Sequence, residues 1–549
     1  MTVWDFIIER LRKAGVRDAF GLPGDYILDF YDKTQNSKIK LITCTSELNA
    51  CYAADAYARI NGIGVVMATY CVGGFSLLNG FACARAEESP LIFISGSPGV
   101  RERRQDLWLH HTVADTFDSQ HYVFKKMSCA HTILDNPSLA GYEIDRVIDT
   151  VKAKKMPGYI ELPRDLVNSV ITYDSWSLGT PPDPMVSDEV NLQEALTETV
   201  DWINSSTRPV ILAGVEIARY GFGKQLIKFA EQKNIPVATT LLGKSVVNEK
   251  HPLSLGVFCG GLSNDVAEEA INNSDCIIAL GVLMTDVHFG FTPSRLLRRN
   301  MILSTCHEMR IRNHSFNKVT FVDFFKNLIK SDVFEREEHP PRKIDDSPFR
   351  PVEDRKLTTA RLFEKIRTTV TDNMAIVSDV GDSMFGAADL DTAANHFFCP
   401  AFYTTMGTSI PGALGIQIAD KNIRPLVIVG DGAFQMNAPE LSTIGRLDLN
   451  PIVVVLNNQG YLTERMFKDG PYNDIADWNY HKYPDMMGLG AGAKVTTEGE
   501  LEAAMNVALA SKTLFVINAV VDKHDATNAV KRVMGGLARK GGFSNEKNA

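Results

Sequence analysis

The stretch from Pro425 to Asn458 leaves the chain few choices of fold. Pro425-Leu426-Val427-Ile428-Val429 is a short, uninterrupted apolar run of the kind that forms a strand buried on both faces. Gly430-Asp431-Gly432 follows at once, then a segment long enough for a helix, then a second apolar run that ends on Asn457-Asn458. Such a strand, turn, helix and strand set Asp431 and Asn458 at adjacent strand ends, on the edge where open α/β sheets bind ligands. The two glycines let backbone approach a phosphate closely, and a helix from about Asn437 would point N–H donors at it. Asp431 and Asn458 offer hard oxygen donors, which suit Mg²⁺, an ion that takes its remaining ligands from phosphate and water.

The same alternation runs through the whole chain. Candidate strands include Val16–Phe20, the runs at 63–70 and 90–96, then 209–214, 235–241, 275–281 and 301–305, and finally 514–522. Helical patterns separate them, as in parallel βαβ winding. A chain of 549 residues is too long for one core. Two proline-bearing polar stretches, Ser175 to Glu189 and Glu335 to Arg355, lack apolar periodicity and read as linkers. The expected organisation is therefore three doubly wound α/β domains with mainly parallel sheets, at 1–174, 190–334 and 356–549. The run after the first strand of the middle block, GVEIARYG, holds no dinucleotide fingerprint.

Composition excludes several function classes. Hydrophobic residues at 45% and charged residues at 22% mark a globular protein. The formal charge of −9 comes without a basic stripe, which argues against nucleic acid as a partner. No apolar run reaches membrane-spanning length, and the opening MTVWDFIIERLRKAG reads as an amphipathic helix capped by Thr2, not a signal peptide. The expectation is a cytoplasmic protein with no membrane partner. Nine cysteines are scattered without a CxxC pair and read as reduced thiols, mostly buried.

Four places carry groups suited to moving protons: Asp25 in GLPGD, Glu47 in TSELNA, the pair His110-His111, and Glu464 in NNQGYLTERM. Burial and mutual contact can tune carboxyl and imidazole groups toward neutral pKa values. Each also has a plain structural reading. Glu47 at a helix start is favoured by the helix dipole, a histidine pair can simply shape a loop, and Met406 in TTMGTS can be core filling. Asp286 reads as a strand-end turn residue.

Taken together, GLPGD, SELNA, the paired histidines, GDGAFQM and NNQGYLTE, in this order over the whole chain, resemble the 2-oxo acid decarboxylase branch of the thiamine-diphosphate (ThDP) enzymes. MGTSIPGALG and FKDGPYNDIADW are closest to its phenylpyruvate decarboxylase-like group. The resemblance implies three α/β domains, ThDP and Mg²⁺ as cofactors, and a small 2-oxo acid substrate. It implies a homodimer at minimum, assembling as a homotetramer, with the pyrimidine on the first domain of one chain and the diphosphate on the third domain of its partner. By the same resemblance Asp431, Asn458 and the carbonyl of Gly460 ligate the metal. Glu47, Ser383, Met406, Gly432, Ala433 and Asn458 contact the cofactor, Glu47 through a pyrimidine ring nitrogen and Met406 from beneath. Asp25, Glu47, His110, His111 and Glu464 are the catalytic set. The implied reaction is non-oxidative decarboxylation to an aldehyde and CO₂, favouring aromatic, branched or long side chains. The alternatives are a pyruvate decarboxylase, an acetohydroxyacid synthase-like carboligase, which shares the MGxxxPxAxG pattern but lacks this acid–base set, and a non-catalytic ThDP-binding sensor. Leu462, Met466 and Phe467 are candidates for the substrate pocket, and the stretch from Asp522 onward resembles a segment that covers the active site.

Overall fold

The computed structural model describes residues 1–105, 108–113, 116–171, 186–260, 263–289, 300–337, 339 and 341–532. The chain divides into two compact units. One comprises Met1–Pro184, Ile410–Asn422 and Asn437–Leu447; the other comprises Met185–Ser409, Ile423–Met436 and Asp448–Ala549. Most of the first expected linker lies outside the described residues, as does the end of the C-terminal stretch. The second, Glu335 to Arg355, holds no helix or strand among the described residues.

The first unit is built on a six-stranded sheet in the spatial order Lys40–Thr43, Asp18–Gly21, Gly64–Ala68, Leu91–Ser97, Gly158–Pro163, Ala130–Ile133. Every pairing is parallel. The two strands Gly64–Ala68 and Leu91–Ser97 are buried along their full length, as central strands covered on both faces must be. The helix Glu47–Asn61 starts on Ser46, whose side chain accepts the Asn49 N–H, and stops at Gly62 in the left-handed region at φ +88°. Later chain completes this unit. The helix Ser409–Ala419 approaches so closely that a Cβ on Gly415 would lie 2.0 Å from the Ala53 carbonyl oxygen, and Glu440 accepts the N–H and hydroxyl of Thr45.

The second unit holds two sheets. The first has seven strands in the order His314–Phe316, Met309–Ile311, Met301–Ser304, Cys276–Leu280, Pro209–Ala213, Val237–Thr240, Ser254–Phe258, with an antiparallel hairpin at one edge. At its reversal point, between Pro209–Ala213 and Cys276–Leu280, Gly214 and Gly281 meet so closely that a Cβ on Gly214 would lie 2.0 Å from the Gly281 oxygen. The other has six parallel strands in the order Phe397–Phe398, Met374–Ser378, Arg424–Gly430, Ile452–Asn457, Phe515–Val520, Ala491–Val495.

The first and last sheets are wound alike. In each, the chain steps from the first strand to one side, then crosses back to lay the third strand on the other. The reversal sits between Asp18–Gly21 and Gly64–Ala68 in one sheet, and between Met374–Ser378 and Arg424–Gly430 in the other. Crevices at such reversals, beyond the carboxyl ends, are the ligand sites of open α/β sheets.

One expected boundary is corrected. The helix after the glycine turn spans Asp431–Asn437, so Asn437 ends it instead of starting it. Pro439 explains the difference: a proline lacks an N–H and restricts the residue before it. A 3₁₀ turn at Ala438–Glu440 follows, before a separate helix at Leu441–Arg446. Among the described residues the nine cysteines form no disulfide, and seven of them are buried; no helix among the described residues is long and apolar enough to cross a membrane.

Candidate active site

At the reversal point of the first sheet, the loop after Asp18–Gly21 carries Asp25 and the loop after Gly64–Ala68 begins at Thr69. Gly24 packs on Thr69, where a Cβ would lie 2.5 Å from the threonine Cβ. Asp25 gathers both expected histidines. Its Oδ2 is hydrogen-bonded to His110 Nε2, and its Oδ1 lies 3.5 Å from His111 Nε2. Partial burial would raise the Asp25 carboxyl, but the His110 hydrogen bond and the two imidazoles outweigh it and hold the group below its usual range. All three side chains keep solvent contact, as a group that exchanges protons requires.

Glu47 opens its helix as expected and is half-buried. Its Oε2 accepts the Ser76 hydroxyl at 2.9 Å. Gly73 lies against both it and Thr69, with a Cβ there 3.3 Å from Glu47 Oε1 and 3.2 Å from Thr69 Cγ2. Glu47 therefore shares the sheet edge of Asp25 and is not buried as a purely structural carboxylate.

The second unit presents a cavity of ≈ 470 Å³ at the reversal point of the last sheet. Asp431, Asn458, Gly460, Ser383, Met406 and Glu464 all line it, together with Gly432 and Ala433. Asp431 is 1% exposed. Its Oδ1 accepts the Gly432 N–H at 2.8 Å and its Oδ2 the Gly460 N–H at 3.1 Å. Burial lifts its carboxyl to about 6, against the N–H groups of Gly432, Gly460, Gln459 and Asn458, which favour the charged form.

Three observations test whether these residues suit a metal-bound diphosphate. The Asn458 Oδ1 is buried without a hydrogen-bond partner among the described residues, and a buried carbonyl oxygen in that state is stabilised by a cation. Asp431 is an acceptor-only carboxylate whose two oxygens, held by backbone N–H groups, also suit a hard cation. A Cβ on Gly430 would meet nothing within 4 Å, so the turn borders open space. The donor set fits a hard cation carrying a phosphate.

The sequence reading overlooked the groups that shape this cavity from behind. Arg465, with a side chain 1% exposed, donates to the carbonyls of Asn458 at 3.0 Å and Gln459 at 2.6 Å and pairs with Asp474 at 2.7 Å. It therefore fixes the loop that carries Asn458 and Gly460, where Gln459 sits at φ +58° and Gly460 at φ +146°. The fully buried Asp379 accepts the N–H groups of Gly407 and Ser409, clamping the turn that follows Met406. Asn457 turns away from the cavity toward Asp477 and Asn518. Asp286, read as a turn residue, also lines the cavity. Asp382 lines the cavity too, but its carboxylate is buried and accepts the Thr527 N–H and hydroxyl. Of the three candidates for the substrate pocket, Leu462 lines the cavity, whereas Met466 packs into an apolar cluster.

Known proteins show the same pattern. A family model for the N-terminal TPP binding domain of thiamine pyrophosphate enzymes matches residues 1–122, one for their central domain 196–330, and one for their C-terminal TPP binding domain 379–519. An indole-3-pyruvate decarboxylase from Azospirillum brasilense is 30% identical over 552 residues, covering 98% of this chain and 99% of its own. A pyruvate decarboxylase from Neurospora crassa is 31% identical over 541 residues, covering 96% and 94%. An alpha-keto-acid decarboxylase from Mycobacterium tuberculosis is 29% identical over 531 residues, covering 95% and 94%. By these three family models and its full-length similarity to such proteins, the chain belongs to the thiamine-diphosphate-dependent 2-oxo acid decarboxylase family.

Proposed function

We propose that this protein decarboxylates a 2-oxo acid to an aldehyde and CO₂ using thiamine diphosphate and Mg²⁺, and that it favours aromatic, branched or long side chains over pyruvate. The observation that carries the reading is the Asp25 carboxylate flanked by both histidines. A carboligase keeps its intermediate for a second carbonyl compound, whereas a decarboxylase must replace the lost carboxylate with a proton, and this cluster is built to hold one.

In this reading Asp431, the Asn458 side-chain oxygen and the Gly460 carbonyl hold the metal. Ser383, Gly432 and Ala433 border the diphosphate, and Met406 supports the rings. When bound, thiamine diphosphate supplies an acceptor for the electron pair released as CO₂ departs. Glu47 would hydrogen-bond the cofactor's pyrimidine nitrogen and hold a proton there. The apolar members of the cavity wall, among them Leu462 and Phe402, strip water from the substrate carboxylate and favour the loss of its charge. Asp25, His110, His111 and Glu464 would hold and hand on the proton that replaces the lost carboxylate. Domain limits of 1–174, 190–334 and 356–549, a homodimer assembling to a homotetramer, and a cytoplasmic location belong to the same proposal.

The test is a rate comparison across pyruvate, 2-oxoisocaproate, phenylpyruvate and indolepyruvate with ThDP and Mg²⁺, repeated after chelation. Phenylpyruvate, indolepyruvate or 2-oxoisocaproate should have the highest kcat/KM, and stripped protein should form no aldehyde. Equal rates without metal would refute the cofactor assignment, and pyruvate as best substrate would refute the preference.

A further inference from the structure

A second cleft, of ≈ 620 Å³, lies at the opposite edge of the middle sheet, where the strands Pro209–Ala213, Val237–Thr240 and Ser254–Phe258 begin. Arg336, Glu337, His339, Pro341, Arg342 and Lys343, from the stretch that reads as a linker, form one of its walls. In a chain with a net charge of −9 this cleft is basic: Arg208, Arg336, Arg342 and Lys343 line it against the carboxylates of Glu269 and Glu337.

The cations are incompletely used. Arg342 pairs with Asp391 and donates to the Glu249 carbonyl, yet its Nε is buried without a partner. Arg336 donates only to neutral oxygens, among them the carbonyls of Ile203 and Phe334, and its Nε is likewise buried and unpartnered. His339 Nδ1 is a third such nitrogen. Arg208, Arg336 and Lys343 form no ion pair among the described residues. Buried donors without acceptors are unfavourable, and with the two arginine Nε atoms in that state and Arg208 and Lys343 outside any ion pair, the positive charge of this lining is left to be met by an anion. Guanidinium groups match phosphate oxygens in geometry as well as charge. The remaining lining includes Val210, Leu255, Ala270 and the exposed Val266, which suit an apolar body. The volume falls within the range of small-molecule sites.

We propose that this cleft binds a small organophosphate, with its phosphate toward the arginines and its body against Val210, Leu255 and Val266. The site is independent of the catalytic reading, since none of its residues lines the catalytic cavity.

The experiment is calorimetric titration of the full chain, loaded with ThDP and Mg²⁺ so that the diphosphate cavity is filled, with AMP, glucose 6-phosphate and inorganic phosphate. At least one organophosphate should saturate one site per chain about tenfold more tightly than inorganic phosphate, and rising salt should weaken it. The doubly substituted Arg208→Ala, Lys343→Ala protein should lose at least about tenfold in that affinity, with its thermal midpoint and decarboxylase rate unchanged. The proposal fails if no organophosphate saturates, if none exceeds inorganic phosphate, or if the double variant binds as the parent does.

Discussion

Tyr26 follows Asp25 and does for His110 what no neighbouring carboxylate can. Its ring stacks on the imidazole at 4.9 Å between centroids, its hydroxyl donates to the His110 carbonyl at 3.3 Å, and the Arg164 guanidinium lies 4.7 Å from the ring. Tyr26 is thus a positioning residue. Tyr26→Leu should lower kcat by up to about tenfold, the worth of one aromatic pair, and displace the pH profile of kcat with ThDP affinity intact. Tyr26→Phe, which keeps the stack, should restore most of the rate; an unshifted profile in the leucine variant would reduce Tyr26 to core packing. Glu464 lines the cavity of the second unit and in the proposed mechanism acts directly. Glu464→Gln should cost ~10²–10⁴ in aldehyde formation, the usual range for a positioned general acid, while cofactor binding is retained. Near-normal turnover would remove it from the mechanism. Residues of this kind were legible in the sequence because acid–base chemistry needs particular side chains. Arg465 and Asp379 were not, because their partners are backbone groups of loops whose path only the folded chain reveals.

At the scale of elements, the apolar runs announced themselves, since strands buried on both faces are apolar at every position. Strands at the sheet edges did not. Ala491–Val495 and His314–Phe316 bury only one residue each and carry no periodic signal. The helix start at Asp431 was misplaced because a glycine turn and a helix entry look the same until the position of Pro439 is weighed. The middle sheet also carries a titration that should be measurable. His288 is buried, accepts the Leu242 N–H and is bonded through Nδ1 to the Leu283 carbonyl, and burial depresses its pKa to about 4. The unfolded chain takes up this proton near pH 6.5, while the native protein refuses it until about pH 4. Its stability contribution is therefore complete above 6.5 and is lost as pH falls to 4, by roughly 3 kcal/mol at most. Asp382 runs the other way: with its carboxyl raised to about 6, stability falls as pH rises from 3.8 toward 6. Urea midpoints between pH 4 and 7 should flatten for His288→Gln relative to the parent. Parallel curves would show that His288 does not govern the acid limb.

For the whole molecule, the proposed dimer builds each site from Glu47 of one chain and Asp431 of its partner. Glu47→Gln and Asp431→Ala proteins should each be inactive, while subunits of the two mixed and exchanged should regain up to about one quarter of the parental activity. That figure follows from random pairing, in which half the dimers are mixed and each mixed dimer has one intact site of two. Silence after verified exchange would place both residues of a site on one chain. The discontinuity of the first unit has a consequence of its own, for the ribosome. Its closing piece, Asn437–Leu447, leaves the ribosome roughly 250 residues after Pro184, which at ~5–20 residues per second is a delay of roughly 12–50 s. Until those pieces follow, the surface around Ala53 waits for Gly415 and that around Thr45 for Glu440, and both are open to water. A nascent chain stalled near residue 400 should therefore recruit chaperones that one released past residue 447 does not.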